Sequence, residues 1–199
     1  MINIAVFCSG NGSNFQAIAD SLKHDSSAKV ALMVCDNPEA FALERSGKMS
    51  IKSVLIERKR FKNKEEFENE IIKNLRQENV ELICLAGFMR IIGPALLKKY
   101  PNKILNIHPA LLPAFKGAHA IGDALKARAL TTGVTVHFVD EQMDHGPIIL
   151  QQSLEIKDDD TEDSLAERIH QIEHQLYPQA IKLFAEGKLT LEGGKVKIS

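Results

Sequence analysis

Residues 2–18 read INIAVFCSGNGSNFQAI. The uncharged, largely apolar run Ile2–Cys8 stops at a turn containing Gly10 and Gly12, and Phe15 and Ile18 then recur at helical spacing. A short apolar strand, a Gly-rich turn and an amphipathic helix are the opening of a parallel α/β sheet. A strand covered on both faces carries no polar alternation.

The alternation continues down the chain. Lys29–Cys35, Ser53–Ile56, Leu82–Ala86, Ile104–Ile107 and Val134–Val139 read as strands, and Asn14–His24, Ala40–Gly47, Lys64–Asn79, Pro94–Tyr100 and His119–Ala129 as helices. In Lys64–Asn79, Phe67, Ile71, Ile72 and Leu75 share one face, as a helix packed on a sheet requires. After Val139 the pattern changes. A short polar connection leads to Ile148–Ile156, which predicts an antiparallel pair with Val134–Val139. Asp158–Asp160 precede a long helix from about Thr161 to Glu186, expected to kink or divide at Pro178. Gly193–Gly194 centres a small terminal hairpin. The fold class is therefore α/β: a doubly wound, mostly parallel sheet in a single domain, residues 1–199.

Composition narrows the function. A net charge of −1, 44% hydrophobic and 26% charged residues describe a soluble globular chain with no general attraction to nucleic acid or membrane surfaces. The basic stretch Glu57–Lys64 reads as a solvated loop. No signal peptide or membrane span is evident. Cys8, Cys35 and Cys84 form no CxxC pair and fit buried, reduced thiols, so a cytoplasmic location is expected.

In such a sheet ligands bind beyond the carboxyl ends of the strands. SGNGSN, NIHPALLP and VDEQMDHG all lie just past expected strand ends. The Gly-rich turn presents backbone N–H groups and a helix N-terminus to an anion. Phe15 occupies the position where a dinucleotide fingerprint wants a small residue, although Asp36 stands at a plausible ribose position. The Gly-Lys-Ser/Thr of a nucleoside triphosphate loop is absent. A single phosphate is the best functional reading, and a plain tight turn is the alternative.

Asn106 and His108 are two residues apart on a strand, so their side chains face the same way, and Pro109 ends the strand beside them. An amide donor beside an imidazole suits a developing oxyanion. Asp144, past Val134–Val139, is a carboxylate able to orient that imidazole. No Ser or Cys stands out as a nucleophile, which favours direct transfer over a covalent intermediate. HQIEH, His170–His174, matches a zinc-ligand pattern on one helical face, but no obvious third ligand follows it, the acids beyond being Glu186 and Glu192 near the chain's end, and no metal is expected.

Taken together, SGNGSNFQAI, LAGFMRIIGP, ILNIHPALLP, VTVHFVDEQMDHGPII and IEHQLYP resemble, in order and spacing, the folate-dependent phosphoribosylglycinamide formyltransferases of purine synthesis. The resemblance spans nearly the whole chain and implies a Rossmann-like formyltransferase fold. It implies direct formyl transfer from 10-formyltetrahydrofolate, as co-substrate, to the amine of phosphoribosylglycinamide. Asn106, His108 and Asp144 would then be catalytic. Gly10, Asn11, Gly12 and Ser13 would cradle the substrate phosphate, Lys64 would contact that substrate where the family often has arginine, and Glu173 would meet its ribose or glycinamide portion. Met89, Arg90, Ile91 and Ile92 would line the pterin pocket, the backbone of Arg90 and Ile92 reading the pterin edge. The Val139–Asp144 loop, with Val139, Asp140 and Asp144, would close over it. The N-terminal half would thus serve the phosphate substrate and the C-terminal half folate and catalysis, in a monomer or homodimer acting on small molecules.

Two departures from the family pattern stand out. Lys116 replaces a common proline, and His145 replaces a common glycine beside Asp144. Related formyltransferases acting on tRNA, and folate hydrolases, carry extra domains, which are not expected here.

Overall fold

A computed structural model describes all residues, 1–199. Its strands are β1 (Ile2–Cys8), β2 (Ala28–Cys35), β3 (Ser53–Leu55), β4 (Val80–Leu85), β5 (Ile104–His108), β6 (Thr131–Phe138) and β7 (Ile148–Glu155), with β8 (Leu189–Glu192) and β9 (Lys195–Ile198) forming a terminal hairpin. The helices are α1 (Ser13–Leu22), α2 (Phe41–Lys48), α3 (Lys64–Gln77), α4 (Pro94–Lys99), α5 (Ala120–Lys126) and α6 (Glu162–Ala185), with a 3-10 turn at Arg58–Arg60. The seven-stranded sheet has the order β3-β2-β1-β4-β5-β6-β7. No helix is long and apolar enough to cross a membrane.

The chain forms two compact units, Met1–Leu105 and Asn106–Ser199. In the first, β1 pairs in parallel with β2 and β4, and β2 with β3. Being central, β1 buries Ile4, Ala5, Val6 and Phe7 completely, which is why it reads as a continuous apolar run. Phe15 and Ile18 of α1 and Ile71 and Leu75 of α3 are fully buried too. The Asn63 side chain caps α3 by accepting from Glu66 N. Glu68, buried on α3, accepts from Gly93 N at 2.5 Å and Leu96 N at 3.3 Å and so caps α4. Cys8, Cys35 and Cys84 are buried free thiols, and burial raises the pKa of each.

In the second unit β6 and β7 are antiparallel, as the polar connection between them predicts, with a register shift between Val136 and His137. The capping box of Thr161 and Ser164 starts α6, and Asp160 accepts from Lys157 N and Ser164 Oγ just before it. Of the kink or division expected at Pro178, the division does not occur: α6 runs unbroken from Glu162 to Ala185. Pro178, Tyr177, Ala180 and Ile181 are buried together, and that packing holds the helix through the missing N–H. The β8–β9 turn carries Gly193 at φ 58° and Gly194 at φ 76°, the two positive values a tight hairpin turn demands.

Candidate active site

Strand β5 delivers Asn106 and His108 to one side, and the loop after β6 brings Asp144 to them. His108 Nδ1 lies 3.5 Å from Asp144 Oδ2, and Asn106 Nδ2 lies 3.5 Å from Asp144 Oδ1. Both contacts are at the outer limit of a hydrogen bond, so these groups are gathered without being locked together. His108 and Asp144 are buried, at 4% and 9% exposure. Three of the sequence-predicted side chains therefore meet in the second unit.

Their surroundings fix their orientation. Asp144 has φ 50°, a left-handed conformation that aspartate tolerates, and its Oδ2 accepts from Gly117 N at 2.8 Å. His108 Nε2 is 2.8 Å from the Phe115 carbonyl, which only a protonated nitrogen can meet, so the donor assignment at that atom follows from its partner. The segment between is tied back to β6. Thr135 Oγ1 donates to Ala110 O at 2.6 Å and accepts from Leu112 N at 3.1 Å, while Gln151 Nε2 donates to Leu112 O at 2.9 Å.

One side chain beside the candidate residues escapes the sequence reading. His137, in the apolar strand VTVHF, is 2% exposed and lies beside Asn106. Its Nε2 is 3.2 Å from Asn106 Nδ2 and its Nδ1 is 2.8 Å from the Phe138 carbonyl. Burial pushes its pKa below the usual 6.5, despite the carboxylate of Asp144 nearby, so the ring is held neutral. A neutral ring protonated at Nδ1 leaves Nε2 to accept from the Asn106 amide. The only sequence signal was a histidine in a strand otherwise read as core.

The loop carrying Asp144 is closed on itself. Asp140 Oδ1 accepts from Gln142 N at 2.9 Å, and its Oδ2 lies 2.7 Å from His145 Nδ1. Gly146 has no room for a Cβ, which would come within 1.9 Å of the Phe138 carbonyl oxygen. On α6, Glu173 is buried and lies 2.9 Å from His170 Nδ1, an interaction that raises the His170 pKa. His170 and His174 stack with ring centroids 6.3 Å apart.

In the first unit the Gly10–Ser13 turn opens α1 with Gly12 at φ 75° and no side-chain cap. A Cβ on Gly12 would lie 2.7 Å from Ala42 Cβ. Ala42 N donates to Gly10 O at 3.1 Å, and Arg45 donates to Asn11 O and Oδ1 at 2.9 and 3.0 Å, so α2 braces the turn. Lys64, at the start of α3, runs its side chain against Gly93, directly after Ile92. Met89 and Ile91 are 71% and 67% exposed, whereas Ile92 is buried.

Residues 2–181 match the family described as formyl transferase. The chain is 51% identical over 183 residues to phosphoribosylglycinamide formyltransferase of Bacillus subtilis (strain 168), an alignment covering 92% of this chain and 94% of that protein. Among solved structures, glycinamide ribonucleotide transformylase 1 from Symbiobacterium toebii superposes with a TM-score of 0.97 at 41% identity, covering all of this chain and 94% of the other. The enzyme of that name from Geobacillus kaustophilus gives 0.90 at 48% identity, covering 93% and 99%. The chain belongs to the formyl transferase family.

Proposed function

We propose that this chain transfers the formyl group of 10-formyltetrahydrofolate directly to the amine of phosphoribosylglycinamide, a step of purine biosynthesis. The observation that carries the reading is the meeting of half-buried Asn106 with buried His108 and Asp144, an amide, an imidazole and a carboxylate with slack between them. Close relatives bearing that activity in their names support it.

The amine nitrogen attacks the formyl carbon, whose oxygen becomes an oxyanion. The Asn106 amide and the His108 imidazolium stabilise that charge. One amide hydrogen is committed to His137 at 3.2 Å, while the looser contact to Asp144 at 3.5 Å is the one released to the oxyanion. Asp144, facing His108 Nδ1, stabilises the imidazolium and manages the proton that leaves the amine and ends on folate N10 as the carbon–N10 bond breaks. The Phe115 carbonyl, now on His108 Nε2, yields to the substrate oxygen.

The substrate phosphate binds at Gly10–Ser13, supported by a positive-φ glycine and an α1 N-terminus without a side-chain cap. Glu173 serves the ribose or glycinamide portion. Met89, Arg90, Ile91 and Ile92 serve folate binding in the first unit, and Val139, Asp140 and Asp144 serve it in the second. Lys64 supplies a cation to bound substrate beside the Met89–Ile92 loop. The phosphate substrate is assigned to the N-terminal half and catalysis to the C-terminal half. The three buried thiols suit a reducing cytoplasm.

A two-substrate assay tests the reading. Formylated product is expected only with both 10-formyltetrahydrofolate and phosphoribosylglycinamide present. Formate release without the acceptor, or binding of a dinucleotide with no affinity for folate, would overturn it.

A further inference from the structure

Asp36 reads in the sequence as a ribose ligand, and formyl transfer leaves it without a task. Its carboxylate is nonetheless buried, with 3% of the side chain exposed, and both its oxygens are engaged. Oδ2 accepts from Arg90 Nε at 2.6 Å, and Oδ1 accepts from Ser9 Oγ at 2.5 Å. A ribose hydroxyl would have to compete with a guanidinium or a hydroxyl already in place.

The chain continues from these partners into the Met89–Ile92 loop. Ser9 Oγ accepts from Met89 N at 2.8 Å, and Ser9 N donates to Gly87 O at 3.0 Å. Asn37, next to Asp36, donates to Ser9 O at 3.0 Å. Residues 86–93 contain no helix or strand, and Gly87 has φ 76°. Ala86 and Ile92 are buried and Phe88 meets the fully buried Phe7 edge-on at 5.2 Å between ring centroids, so packing holds the ends of the loop, whereas Met89 and Ile91 at its tip stand mostly in solvent. A cavity of about 340 Å³, lined by Ser9, Asp36, Met89 and Arg90 among others, leaves open space beside it. At that tip the ties of Met89 N to Ser9 and of Arg90 to Asp36 hold what packing does not.

We infer that Asp36 is a positioning residue for the pterin-binding loop. It acts through Arg90 and Ser9 and touches no substrate. The carboxylate holds Arg90 through Nε, and that charged bond fixes where the Arg90 backbone lies. Ser9 immediately precedes Gly10–Ser13, so the residue that leads into the phosphate turn also anchors the pterin loop. This inference rests on the proposed assignment of Met89–Ile92 to folate.

Its test is the KM of each substrate, with kcat and Tm, for Asp36→Asn, Arg90→Gln, the double variant and Ile92→Ala. Asp36→Asn keeps the shape and removes the charge. It should raise the KM for 10-formyltetrahydrofolate about tenfold and leave that for phosphoribosylglycinamide within about twofold. Arg90 is half-exposed, so Arg90→Gln reads the same link even where Asp36→Asn folds poorly, and it should raise the folate KM by a similar factor. The double variant should do no worse than the worse single one, since each breaks one shared bond. An unchanged folate KM in Arg90→Gln or a folded Asp36→Asn, equal rises for both substrates, or additive effects in the double variant would overturn the inference. Ile92→Ala separates the two failures. A raised folate KM there with no effect of Asp36→Asn defeats the positioning role alone, and no effect of Ile92→Ala defeats the loop's assignment to folate and the inference with it.

Discussion

His137 Nε2 stands 3.2 Å from the amide nitrogen of Asn106, while its Nδ1 is held by the Phe138 carbonyl at 2.8 Å. The buried neutral imidazole thereby decides which end of the Asn106 amide faces Asp144 and the reacting carbonyl. His137→Phe keeps the apolar volume and removes the acceptor. It should lower kcat about tenfold, the worth of one orienting hydrogen bond, with smaller changes in either KM. Steady-state kinetics with each substrate varied in turn checks this.

The loop departure at His145 has a partner. His145 Nδ1 lies 2.7 Å from Asp140 Oδ2, a contact that closes the loop presenting Asp144, but both side chains are partly in solvent, at 50% and 36% exposure. An exposed pair of this kind contributes about 0.2–1 kcal/mol. His145→Ala and Asp140→Asn should each lower kcat/KM for the folate about two- to fivefold. A double-mutant cycle should return a coupling of the same small size, and its salt dependence checks that the interaction is ionic.

Glu173 raises the His170 pKa above the usual 6.5, so the folded protein holds a proton there more tightly than the unfolded chain. The stability this contributes is fully present below pH 6.5 and is lost as pH rises through the folded-state value. His170→Gln should therefore lower Tm at acid pH and converge with the unsubstituted protein toward alkaline pH. Thermal melts from about pH 5 to 8 read the difference directly. His137 works in the opposite sense. Its lowered pKa makes stability fall as pH drops below 6.5, and His137→Phe should flatten that decline.

Gly12→Ala meets two obstacles: φ 75° and a Cβ only 2.7 Å from that of Ala42. A destabilisation of about 1–3 kcal/mol is expected, together with a raised KM for phosphoribosylglycinamide. Calorimetry and the KM measured on the same preparation check both.

What the sequence disclosed follows from the range of the interactions. Ile2–Cys8 and α1 were legible because a central strand and its helix declare themselves in neighbouring residues. Asn106 and His108 were legible because a spacing of two on a strand aligns side chains. The uninterrupted course of α6 through Pro178 was not, since tertiary packing overrode a local helix breaker. Nor was His137, whose partner Asn106 lies 31 residues away on another strand. Arg45 on Asn11 and Arg90 on Asp36 bridge 34 and 54 residues and leave no periodic mark. Asp144 was legible as a carboxylate able to reach His108 only on the condition that their two strands lie near one another, which no local pattern fixes.

The central claim is that Asn106, His108 and Asp144 act together on one formyl carbon. The most direct measurement is turnover, beside phosphoribosylglycinamide affinity, for His108→Ala and Asp144→Asn. The account predicts that kcat falls about 10²–10⁴-fold in each, while affinity for the phosphate-bearing substrate stays within about threefold. Near-normal turnover in either variant would contradict it.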